Sequence, residues 1–74
     1  MQHELKNFCY NIKLLRKKFS FDSLKMSEIL NISLDELRSI ENGIIPDTVS
    51  CEVVFKIWDY FSVPPKSLFH SRLK

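Results

Sequence analysis

Between Met26 and Gly43 the chain reads MSEILNISLDELRSIENG, and this run leaves little freedom about its fold. Met26 and Leu30 lie four apart, and Leu37 and Ile40 three apart, which are helical spacings. Between the two pairs stands Asn31, a residue that tolerates the left-handed conformation at which helices stop. Ser33-Leu34-Asp35-Glu36 then has the form of a capping box: the serine side chain caps the Glu36 amide, and the Glu36 carboxylate returns to the serine amide. Ile32 and Leu37 supply the matching hydrophobic staple, and Gly43 stands where a positive φ ends the second helix. The segment is therefore a short helix, a tight turn and a second short helix.

The flanking sequence has the same character. Leu5, Phe8, Ile12, Leu15 and Phe19 recur at spacings of three and four, the apolar face of a first helix, with Asn7, Asn11, Lys13, Lys17 and Lys18 on its other sides. Asp22 caps the next helix, and Phe21 with Met26 forms its staple. Asp47 or Thr48 is the expected cap of a fourth helix, which Pro64-Pro65 stops before a short fifth one begins. One glycine and three prolines in 74 residues leave little room for the many tight turns of an all-β fold. The expectation is an all-α single domain over 1–74, with helices at about 4–18, 23–30, 33–42, 48–61 and 65–69 and a frayed tail from His70. A chain this short buries only about 60% of its unfolded surface, so it needs an efficient helical core or a partner.

Composition also excludes functions. Cys9 and Cys51 are too few for a disulfide framework and have no second ligand at metal spacing, so both are expected as reduced, partly buried thiols. His3 and His70 lie at opposite ends. No metal, cofactor or enzymatic activity is expected: there is no paired-carboxylate cleft, no nucleophile with a base and no glycine-rich phosphate loop. No apolar run reaches the roughly 18 residues of a membrane span, and no leader pattern opens the chain, so a cytoplasmic protein is expected. The net charge of +2 permits nucleic-acid binding without requiring it.

Taken in order, Ile12, Leu15 and Arg16, then Met26 and Leu30, Ile32-Ser33, Leu37, Ile40, Glu41-Asn42-Gly43, Ile57, Val63 and Leu68-Phe69 resemble the lambda-repressor-like helix-turn-helix family, of the phage-repressor or Xre type. The resemblance spans about residues 11–69. It implies a compact five-helix DNA-binding domain whose second and third helices form the helix-turn-helix. It also implies an ion pair between Arg16 and Glu41, in which two parallel hydrogen bonds fix one helix against another.

In such a unit the start of the second helix of the pair meets base edges. Here that surface is Leu34, Asp35, Arg38 and Ser39, with Asp22, Ser23, Lys25 and Asn42 placed toward phosphates. The sequence departs from the family where Ser23 replaces a frequent glutamine and Ser27 a frequent alanine. Ile44-Ile45 stands where the loop is often basic, and that loop is about two residues longer than usual. Residues 33–42 hold three acids (Asp35, Glu36, Glu41) against one base (Arg38), a net of −2. Cations for the backbone must come from Lys13, Lys17, Lys18 and Lys25, or from the C-terminal Lys66, Arg72 and Lys74. Helix 4 is apolar on more than one side: Val54, Ile57 and Phe61 suit a core, while Phe55 and Trp58, with Phe69, suit a homodimer interface. The function expected is a sequence-specific transcriptional regulator, a repressor binding an inverted-repeat operator on double-stranded DNA as a dimer. The alternative is a protein-interaction module of the same fold, using an apolar patch of Leu34, Ile44 and Ile45.

Overall fold

In a computed structural model the chain forms five helices: α1 (Gln2–Lys18), α2 (Ser23–Leu30), α3 (Leu34–Glu41), α4 (Glu52–Phe61) and α5 (Pro65–His70). The structure describes residues 2–70 and 72–73, and no strand occurs among them. All five helices contribute to one core: Phe8, Ile12 and Leu15 from α1, Met26 and Leu30 from α2, Leu37 and Ile40 from α3, Val53 and Ile57 from α4, and Leu68 from α5. The radius of gyration is 10.9 Å, close to the value of about 11 Å for a well-packed chain of this length.

The helix ends follow from local chemistry. The α1, α2 and α3 helices all end in a Schellman motif, with Ser20 (φ 59°), Asn31 (φ 56°) and Gly43 (φ 90°) in the left-handed region. In each, the following residue's amide donates back five residues: Phe21 to Arg16, Ile32 to Ser27, and Ile44 to Ser39. The α4 helix ends at Ser62 (φ 59°), whose amide donates to the Trp58 carbonyl. At the N-termini, Asp22 Oδ1 accepts from the Lys25 amide at 2.8 Å. The α3 capping box is complete: the Glu36 amide donates to Ser33 Oγ at 3.1 Å, and the Ser33 amide to Glu36 Oε1 at 2.8 Å.

Four sequence expectations are corrected. First, α4 starts at Glu52, not near residue 48, and neither Asp47 nor Thr48 caps it. The Thr48 hydroxyl instead donates to Glu36 Oε2 at 2.6 Å, and Pro46 and Val49 close a turn, so residues 42–51 form the connection. Ser50 Oγ accepts from the Glu52 amide at 3.3 Å.

Second, Leu5 and Phe19 lie at the ends of the α1 stripe, beyond the buried part, and are exposed. Phe19 joins a surface aromatic group with Phe21 and Phe61, at ring distances of 5.9 and 5.1 Å. Third, Cys51 is exposed; only Cys9 is buried, and burial pushes its thiol pKa up.

Fourth, Asn11 is buried rather than on a polar side. Its Nδ2 donates to the Leu68 carbonyl and its Oδ1 accepts from the Leu73 amide, both at 2.7 Å. One turn earlier, Asn7 Nδ2 donates to the Phe69 carbonyl at 3.1 Å. The last carbonyls of α5, which no intrahelical donor reaches, are thus served by α1. The expected frayed tail falls partly on Ser71 and Lys74, outside the described residues. Arg72 and Leu73 are held: the Arg72 guanidinium sits 4.6 Å from the Tyr10 ring centre.

Candidate nucleic-acid interface

The inner side of α3 is fixed by Leu37 and Ile40, both fully buried. Its C-terminal end is tied to α1 by Arg16. The guanidinium donates from Nε to Glu41 Oε2 at 2.7 Å and from Nη2 to Glu41 Oε1 at 2.9 Å. From Nη1 it also donates to the Phe21 carbonyl at 3.3 Å. One side chain therefore joins the end of α1, the α1–α2 connection and the end of α3. Arg16 is held more firmly in its charged form by the Glu41 hydrogen bond, which outweighs the opposing effect of burial.

What remains of α3 is an outward strip. Asp35, Arg38 and Asn42 are exposed, and Leu34 and Ser39 are half-buried beside them. These positions advance by one, three, one and three residues, so they lie on a single face of the helix. All four residues assigned to base reading are on it, and Asn42 continues it.

The electrostatics of this strip are set by pairing. Arg16 occupies both Glu41 oxygens. The Glu36 carboxylate is engaged by the Ser33 amide and the Thr48 hydroxyl, which lower its pKa and keep it ionised. Asp35 and Arg38 are left facing outward with opposite charges.

At the start of α2, Lys25 is exposed and Ser23 half-buried. The carboxylate of Asp22, next in the chain to Ser23, accepts the Lys25 amide.

The apolar residues around α3 separate. Ile44 is exposed, while Ile45 packs against the core and Leu34 is half-buried, so the three do not form one open patch. On α4, Phe55 and Trp58 are exposed and, with Asp59, border a shallow hollow. Phe69 does not join them. It is half-buried and stacks on Phe8 with ring centres 5.0 Å apart and planes within 8° of parallel.

Sequence reasoning missed Thr48 and Asn11. The Thr48 contact joins a loop to a helix twelve residues away, and no local pattern marks it. Asn7 and Asn11, four apart on α1, did carry a signal: two amides one turn apart can serve a helix end. Among the described residues no group of three or more His, Cys, Asp or Glu side chains is placed to hold a metal ion. No described helix is long and apolar enough to cross a membrane. Comparison with protein-family models, curated proteins and solved structures finds no match to this chain.

Proposed function

We propose that this chain is a sequence-specific DNA-binding regulator of the lambda-repressor-like helix-turn-helix type, with α2 and α3 as the paired helices and α3 entering the major groove. The observation that carries this reading is the outward strip of α3. Leu34, Asp35, Arg38, Ser39 and Asn42 share one open face, while Leu37, Ile40 and the Arg16–Glu41 pair lock the rest of the helix down. A groove-reading helix needs both properties, because base contacts discriminate only when the helix is held in one orientation.

The roles follow from side-chain chemistry. Arg38 donates two hydrogen bonds to guanine O6 and N7, and Ser39 reaches a neighbouring base edge. Asp35 accepts from a cytosine amino group, and Leu34 meets a thymine methyl. Ser23, Lys25 and Asn42 hold the phosphates on either side. Phe55 and Trp58 form a two-fold contact, which sets two reading helices about 34 Å apart on an inverted repeat. Binding there represses by occupying the promoter.

The test is selection from a random duplex library with the native chain, Arg38→Ala and Ser39→Ala. An inverted repeat is expected, with its consensus changed at the positions each variant no longer reads. A folded native chain that enriches no sequence at moderate salt rejects the proposal. One observation favours a second reading, a protein-interaction module: the start of α3 carries Asp35 and a Glu36 held ionised by its hydrogen bonds, which repel phosphate. Failure of the DNA selection moves the assignment to that reading.

A further inference from the structure

A cationic strip runs along α1 beside the end of α3. Lys6, Tyr10, Lys13 and Lys17 follow at spacings of four, three and four, so they share one helix face. From Lys6 to Lys17 that face extends about 16 Å. It borders a hollow of about 510 Å³, lined also by Cys9 and Leu14 from α1 and by Asn42 and Gly43 beyond α3. The hollow is wide and open to solvent, so it suits a side chain laid against the surface and not an enclosed small molecule.

The charge of this hollow is one-sided. Lys6, Lys13 and Lys17 form no ion pair with another described residue. The lining carboxylate, Glu41, has both oxygens on Arg16. Arg72 adds a further cation where it lies over the Tyr10 ring. Lys13 and Lys17 are like charges four apart on a helix, an arrangement that destabilises α1 slightly until an anion lies across it. Among the ammonium groups the accessible apolar lining comes from the exposed Tyr10 ring and the half-buried Leu14, above the buried Cys9.

We infer that this hollow docks an acidic polypeptide segment bearing one apolar side chain. The segment's carboxylates lie on Lys6, Lys13 and Lys17, and its apolar side chain fills the hollow against Tyr10 and Leu14. A sugar–phosphate backbone matches the charge but has no apolar side chain to cover Tyr10 and Leu14. The site meets the outward strip of α3 only at Asn42, and its lining cations all come from α1.

The test uses the whole 74-residue chain. It is panned against a library of short random peptides, with Lys13→Glu/Lys17→Glu and the milder Lys13→Ser/Lys17→Ser as comparison targets, each checked for cooperative melting. Enriched peptides are expected to be acidic and to share an apolar residue. They should bind the folded double variants at least about tenfold more weakly, and lose about tenfold when the apolar residue becomes serine. In ¹⁵N spectra they should shift amides of residues 6–17 and 42–43. The inference is overturned if the folded native chain enriches nothing, if the peptides lack acidic bias or bind a folded variant equally, or if the shifts map elsewhere. It is also overturned if a mixed-sequence DNA duplex shifts residues 6–17 while no peptide does, which would assign the strip to phosphate contact.

Discussion

Four residues in the left-handed region end four helices, and only one of them is glycine. At Gly43 a β-carbon would meet nothing within 4 Å, so substitution there costs backbone strain and not a clash. Gly43→Ala is expected to destabilise the chain by about 1 kcal/mol. Ser62→Gly should stabilise it by about 0.5 kcal/mol, because relief of the positive φ exceeds the added unfolded-state entropy. Urea denaturation of both variants checks the opposite signs. Glu36 gives a pH signature. Its folded-state pKa lies below its unfolded value of about 4.3. Its contribution is therefore fully present above that value and is lost as pH falls through the folded one. Glu36→Gln keeps the capping geometry and removes the charge. The stability difference between native and Glu36→Gln chains should be flat from about pH 7 to 5 and shrink below about pH 4. A gap that widens in acid contradicts this assignment.

At the scale of elements, the Arg16–Glu41 pair sets how α3 sits on α1. Its side chains are 18% and 11% exposed, so water retains some access. Arg16→Met and Glu41→Leu should each cost about 2–3 kcal/mol, below the 3–5 of a fully buried pair, since each leaves a charge without its partner. The double variant should cost clearly less than the two combined, which a double-mutant cycle read by thermal melting would measure. Additive losses would mean that the pair contributes nothing as a pair.

Elements were readable where their signals were local. The Asp22 cap, the Asn31 stop, the Ser33–Glu36 box and Gly43 each act within six residues, and α2 matches its expected bounds to the residue. The start of α4 was not readable, because Thr48 is recruited by Glu36 from another element. Burial along α1 was misjudged for a related reason. Periodicity gives the direction of a face but not how far neighbouring helices cover it, so Leu5 and Phe19 emerge at its ends. Likewise the open face of α3 followed from its sequence, whereas the hollow beside Lys13 needs two elements and has no sequence signature.

For the whole molecule, the aromatic surface of α4 bears on assembly. Phe55, Trp58 and Tyr60 are about half exposed or more, although a core this small would gain from burying them. If α4 is the two-fold contact, sedimentation at tens of micromolar should give a dimer, and Trp58→Ser a monomer with an unchanged helical spectrum. A native monomer there removes the dimer from the proposal while leaving the α3 face untouched. The asparagine clasp bears on how the chain matures. Asn11 takes two partners from residues 57 and 62 positions later, so this contact of α1 forms only once α5 has been made. During synthesis the helices up to α4 can collapse, but the side of α1 that α5 covers stays open to water until Leu68 and Leu73 leave the ribosome. Closing so long a loop late makes the final step of folding one of ring closure, so a ribosome stalled before Leu68 would display a chain that proteases still recognise as unfinished.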